Sequence, residues 1–242
     1  MKLLCNSEEA WGWEMRGVSC SPRVAFLEPV LQCFHENLQR YADAMEWGDL
    51  PHYYNERSTL SLFAAACWQS GLVGLEEYVS WKGRGEDTFR GRADLWVCSL
   101  EADTDIAIEA KQNWPGLGVR SKTVTEWLNT AEAAACQNYD AKLRAGMTFL
   151  VPCLTPTASR EQVVTLFRRL HDDALRHGVD ALAWWLPEAA MTHSSPNRNT
   201  GEDCMWPGVL TVLRVARVRG GRVSSKADRL RESCWAADPV PA

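Results

Sequence analysis

"GRADLWVCSLEADTDIAIEAK", residues 91–111, reads as two apolar strands folded on a short polar turn. The segments 95–100 and 106–110 are rich in Leu, Trp, Val, Ile and Ala, as buried strands are. Asp94, Glu109 and Lys111 sit within or beside them, and a charge buried in a sheet is costly unless it is paired or holds a metal. If residues 101–104 form the turn, opposed positions place Asp94 across from Lys111 and Glu109 across from Trp96. Opposed residues share a face of a sheet, as do residues two apart on a strand, so the three charged side chains form one cluster. The alternate residues Leu95, Val97, Ile108 and Ala110 face the other way.

Outward from this hairpin, "LEEYVSWKG" (75–83) alternates like a half-buried strand and makes a three-stranded antiparallel meander. A helix is expected over about 55–70, with Asn55 as N-cap and Gly71 as terminator. A second runs through the Ala-rich stretch 122–144, followed by an interior strand in "MTFLVPCL" (147–154). Residues 22–46 have apolar positions at helical spacing, with Pro29 starting or splitting the helix. Ser159 caps an amphipathic helix closed by Gly178, and strands are expected at 180–187 and 208–218 with a loop over 192–207. The sequence thus describes one α/β domain: an N-terminal helical layer over 1–52, a core over 53–153, and a C-terminal helix and strands over 154–242.

Composition bounds the function. The 242 residues carry a formal charge of −5, 46% hydrophobic and 24% charged content, which suits one substantial core and argues against coating nucleic acid by bulk electrostatics. A local basic groove remains compatible with that balance. The nine cysteines are odd in number, lie mostly in apolar segments and show no CxxC pair or zinc-type spacing, so reduced, buried thiols are expected. "MKLLC" has only four residues before Cys5 and no apolar region of about 7–15 residues, unlike a lipoprotein signal. No run approaches about 20 apolar residues, so a cytoplasmic protein with no membrane partner is expected.

Two carboxylates converging on one sheet face, with hard oxygen atoms and no soft ligand nearby, suit Mg²⁺ or Mn²⁺. An adjacent ammonium can hold an attacking water or stabilise charge developing on a phosphate. An isolated ExK arises by chance roughly once in a chain of this length, so the motif gains meaning only from its context. With both halves on consecutive strands and helices in order around them, residues 53–153 resemble the PD-(D/E)xK, or restriction-endonuclease-like, nuclease superfamily. The resemblance implies a core of helix, three-strand meander, helix and strand. It places the family's first acidic residue at Asp94, the (D/E)xK at Glu109 and Lys111, and the glutamate that many members carry on the first core helix at Glu56.

The implied function is metal-dependent hydrolysis of phosphodiester bonds, with DNA the favoured substrate. Metal would be held by Glu56, Asp94 and Glu109, and catalysis would use Asp94, Glu109 and Lys111. Arg90 and Arg92 precede Asp94 where flanking phosphates would lie, and Trp114 and Gln137 are weaker candidates for contact with nucleic acid. Gln137 and Tyr139 are only two apart, unlike the spaced Gln and Tyr of the RecB-like branch, and Ala93 stands where the family often has proline. A non-catalytic binding or assembly module of the same fold, working with a protein partner or as a homo-oligomer, is the alternative. "RRLHDDALRHG" contains His171–Asp172, as in HD-type phosphohydrolases, but the other histidines lend no support and an exposed polar helix face is expected there. Trp68, Trp81, Trp96 and Trp184 are expected in the core. Basic residues also gather at Lys82, Arg84 and Arg217 to Arg231.

Overall fold

The computed structural model describes residues 15–83, 88–138, 141–197 and 200–216. Arg84, Tyr139, Cys5, Cys234, the basic stretch from Arg217 and the C-terminal tail lie outside the described residues.

A mixed seven-stranded sheet is built from β1 (Met15–Cys20), β2 (Val73–Lys82), β3 (Phe89–Ser99), β4 (Thr104–Asn113), β5 (Leu143–Leu150), β6 (Ala181–Leu186) and β9 (Val209–Val215), in the order β1-β6-β9-β5-β4-β3-β2. A small hairpin, β7 (Ser194–Pro196) with β8 (Asp203–Met205), stands apart within the expected loop. The β4–β5 pair is parallel and the other pairs of the sheet are antiparallel. Helices α1 (Glu28–Ala44) and α2 (Glu56–Gln69) cover one face, where Leu95, Val97, Ile106, Ile108 and Ala110 join Phe34 and Phe63 in one apolar cluster. Helices α3 (Ser121–Ala135) and α4 (Arg160–Arg176) cover the other, packing Leu128 and Phe167 on Leu150, Leu182 and Val212. Alternation along β5, β6 and β9 feeds both clusters, as expected of strands buried on two sides.

Local chemistry sets the helix starts. Asn55 accepts from the Ser58 amide at 3.0 Å and fixes the first turn of α2, while Ser159 and Gln162 form a reciprocal capping box on α4. Pro29 lies in the first turn of α1, where a missing amide hydrogen costs nothing. It therefore starts the helix.

Four expectations are corrected. The region 1–52 is not wholly helical: β1 pairs along its length with β6 and extends the sheet. The helix over 122–144 stops at Ala135, because β4 recruits the following chain as a parallel neighbour from Ile106↔Leu143 and the Asp105 carboxylate accepts the Lys142 amide at 2.9 Å. The interior strand accordingly occupies 143–150 rather than 147–154. Finally, the β3–β4 turn spans 100–103, with Ser99 opposite Thr104 and Trp96 opposite Ala107 rather than Glu109. That shift moves the pairing by two residues, which preserves the face of every side chain, whereas a shift of one would invert it.

Gly146 lies beside Glu109 in the parallel register, and a Cβ there would overlap the backbone of Ala131 and Glu132 in α3. The close approach of α3 to β5 requires glycine. Gly146→Ala should lower stability by about 1–3 kcal/mol as α3 is forced outward. Urea unfolding measures this; an unchanged midpoint would show that α3 does not press on β5 here.

Candidate functional site

The ladder between β3 and β4 ends at Leu95↔Ile108, yet β3 continues to Phe89 alongside β2 and β4 continues to Asn113 alongside β5. The two strands therefore part as a fork. Beyond the split, the β4 amides that point toward β3 have no carbonyl to receive them, and buried amides must be satisfied. Two carboxylates do this: Asp94 Oδ2 accepts the Ala110 amide at 2.8 Å, and Glu56, the first residue of α2, accepts the Gln112 amide. Gln112 is tied in turn by its side chain, which accepts from Thr59 Oγ1 at 2.7 Å and donates to the His52 carbonyl at 2.8 Å. The start of α2 is thereby fixed over the mouth of the fork.

Lys111 lies between the two carboxylates. Its Nζ is 3.8 Å from Glu56 Oε2 and 3.9 Å from Asp94 Oδ2, and it donates to the Ala110 carbonyl. These are long, loose ion pairs at a partly open position. Its side chain remains 37% exposed, enough to reach a bound molecule.

Glu109 is held differently. Its Oε1 accepts from Lys82 Nζ at 2.7 Å and from Asn138 Nδ2 at 2.9 Å, and all three residues are buried. The Lys82↔Asn138 bridge and a Gly83 amide bonded to the Gln137 carbonyl pin the end of β2 to the end of α3 above it. Asp94, Lys111 and Glu56 thus come together in direct contact, while Glu109 stands as a separate buried pair. It still repels Glu56 electrostatically.

Burial raises the pKa of Glu56 above the ordinary glutamate value, and repulsion by Asp94 and Glu109 adds to this, against lowering by Lys111 and the Gln112 amide. Among the described residues, no group of three or more His, Cys, Asp or Glu side chains is arranged to hold a metal ion. Asp94 and Glu56 come together only as the two neighbours of Lys111 Nζ.

The weaker candidates separate. Arg92 pairs with Glu77, which also binds Arg57 of α2 at 3.2 Å. Arg90 lies 5.3 Å over the Trp81 ring. Trp114 is exposed in the loop after β4, and Gln137 is exposed at the end of α3, where its backbone serves the pinning of β2.

Three other readings change. Trp68 and Trp81 are exposed, Trp96 is half-buried and donates to Asp105 at 2.9 Å, and Trp184 alone of the four is buried. His171 is buried edge-on against Trp184, and Asp173 is buried, accepting from Ser121 Oγ at 2.6 Å. Arg168, Asp172 and Arg176 keep the expected exposed polar face, while His171 and Asp173 turn inward. The seven described cysteines are free; Cys67 and Cys204 are buried, and the other five are half-buried.

Sequence reasoning missed Lys82 and Asn138 as partners of Glu109, and Glu77 and Arg57 beside the fork. Lys82 follows the strand alternation but nothing local marks it as buried. Glu77 has a left-handed backbone, φ 53°, in the middle of β2, a conformation uncommon for a residue with a side chain, and no sequence pattern announces it.

No protein-family model, curated protein or solved structure matches this chain. No helix among the described residues is long and apolar enough to cross a membrane.

The Glu56 shift fixes a pH dependence. A carboxyl whose folded pKa is raised binds its proton more tightly in the native state, so its contribution to stability is present below the unfolded pKa, about 4.3, and is lost as pH rises through the higher folded value. At pH 7 the ionised group therefore destabilises the fold. Glu56→Gln should unfold at a higher temperature than the parent at pH 7, with the difference closing below about pH 4. A variant less stable than the parent at pH 7 would show that ionised Glu56 is stabilised by Lys111 more than burial opposes it.

Proposed function

We propose that this protein is a divalent-metal-dependent nuclease of the restriction-endonuclease-like type, hydrolysing phosphodiester bonds, with DNA the favoured substrate. The single observation that carries the reading is the placement of Lys111 between the carboxylates of Asp94 and Glu56 at the open mouth of the β3–β4 fork. The element order α2, β2, β3, β4, α3, β5 with a parallel β4–β5 pair agrees with the core that the sequence resemblance implies.

The donor chemistry fits Mg²⁺ or Mn²⁺. Both cations are hard, prefer oxygen, and Mg²⁺ is often held by one or two carboxylates while keeping most of its waters. Asp94 and Glu56 supply that pair; burial does most to raise the Glu56 pKa, and a cation would relieve the repulsion from Asp94 and Glu109 that adds to it. Glu109 has one oxygen, Oε1, taken up by both Lys82 and Asn138. A bound metal would supply charge neutralisation at the phosphate and a more acidic water.

This chain's own residues do the rest. Asp94 and Glu56, each anchored by a backbone amide of β4, hold fixed orientations without needing to reorganise. Lys111 presents an ammonium that orients a water for attack or meets the negative charge that grows on the phosphate oxygens. Arg57 and Arg92, bridged by Glu77 beside the fork, lie where flanking phosphates would pass.

A second reading has an observation of its own. The bond of Glu109 to Lys82 and Asn138 satisfies that carboxylate without any metal, as a structural pair would. On this reading the chain is a non-catalytic nucleic-acid-binding or assembly module.

Cleavage of single-stranded, double-stranded and branched DNA, and of RNA, in Mg²⁺, Mn²⁺, Ca²⁺ and EDTA decides between them. The nuclease reading expects turnover in Mg²⁺ or Mn²⁺, little in Ca²⁺ and none in EDTA. Lys111→Ala should lose at least a hundredfold in rate while keeping its fold and metal affinity, because the removed ammonium is half-exposed and acts as charge develops. Asp94→Asn should lose metal affinity and cleavage together. A well-folded parent that cuts nothing in any metal would leave the module reading standing.

A further inference from the structure

We propose that the strip of β2 and β3 leading from Trp81 and Arg90 to Asp94 is a binding track for single-stranded nucleic acid, with the Trp81 indole as a stacking platform for one base. The inference deepens the reading above by naming the form of substrate, and its use as a cleavage track rests on that reading.

Strand β2 is an edge of the sheet, and its row Val79 and Trp81 is 68% and 48% exposed. Trp81 stands opposite Arg90 in the register and Val79 opposite Arg92. Arg90, Arg92 and Asp94 alternate on β3 and so share a face, with about 13 Å of strand between the first and the last. Side-chain contacts trace the same path: Arg90 stacks on Trp81, Arg92 binds Glu77, and Glu77 binds Arg57, the neighbour of Glu56 at the fork. Arg92 and Arg57 share the Glu77 carboxylate, and a third guanidinium, that of Arg90, lies on Trp81, on a chain whose net charge is −5.

An aromatic face flanked by guanidinium groups suits a chain that carries both π-faces and phosphates. Bases of a single strand are free to stack on such a platform, whereas those of a duplex are already stacked on each other. The guanidinium now lying on Trp81 occupies the position a base would take. A second copy adding its own edge strand fits less well. Glu76 and Glu77 put charge on that edge, the left-handed Glu77 breaks its regularity, and the Lys82↔Asn138 bridge covers its end.

The test uses the full chain in EDTA, so that binding is read without cleavage. Fluorescence anisotropy of labelled oligothymidylate, oligouridylate and a blunt mixed-sequence DNA duplex is followed at several salt concentrations for the parent, Trp81→Ala, Trp81→Phe and Arg90→Ala. Single strands should bind more tightly than the duplex. Trp81→Ala should weaken that binding about tenfold, and Trp81→Phe, which keeps a stacking face, by no more than about threefold. Arg90→Ala should reduce the slope of log K against log salt by about 0.7. Either homopolymer being preferred supports the track and names the sugar it accepts.

Equal affinity of parent and Trp81→Ala, duplex bound as tightly as single strands, or no binding at low salt would each overturn the proposal. So would a dimer in sedimentation that Trp81→Ala dissolves, which would give the strip to a second copy. Trp81-dependent binding by a protein that cleaves nothing would retain the track and remove the nuclease reading. Cleavage unaffected in KM by Trp81→Ala would do the reverse.

Discussion

Two backbone amides of β4 that lose their strand partner organise the site. When β3 departs beyond Leu95, the amides of Ala110 and Gln112 must be satisfied, and the sequence meets this with the carboxylates of Asp94 and Glu56 instead of carbonyl oxygens. Each carboxylate is thereby held in place by a group that cannot rotate away. Lys111, on the residue between those amides, lies within reach of both anions. A regular ladder through Asp94 would have bonded these amides to a neighbouring strand and left the carboxylates without anchors.

The rest of the fold maintains that opening. Helix α2 can present Glu56 only because Asn55 fixes its first turn and Gln112 ties strand to helix through Thr59 and the carbonyl of His52. On the other side of the sheet, Gly146 admits α3 close enough for Asn138 to reach Glu109, and Lys82 completes that buried pair from β2. The β2–β3 hairpin is thus held at its far end while it diverges from β4 in the middle. Glu109 serves this holding role in the structure, tied through one oxygen to both Lys82 and Asn138.

The main elements of the core were legible because they are carried by strong local signals. The alternation in 95–100 and 106–110, the Asn55 and Ser159 caps and the glycines after the helices each act over a few residues. The faces of Asp94, Glu109 and Lys111 survived an error of two residues in the hairpin register because the strand period is two. What escaped was set by distant partners. Strand β1 is six residues long and exists through β6, the Ala-rich helix is cut short by the pull of Leu143 into register with Ile106, and Glu109 is claimed by Lys82 from 27 residues away. The periodic segments of Trp68 and Trp81 read as core, but Trp81 lies on β2, an edge strand with one row exposed, and Trp68 lies on the outward side of α2 near its end.

The central claim is that the carboxylates anchored at the fork form a divalent-cation site. Crystals soaked in Mn²⁺, with anomalous scattering recorded at an energy where manganese contributes strongly, test it directly. The account predicts an anomalous peak at coordination distance from Asp94 and Glu56, lost in Asp94→Asn. A saturating soak that leaves the fork without a peak, with Lys111 still bridging both carboxylates, would contradict it.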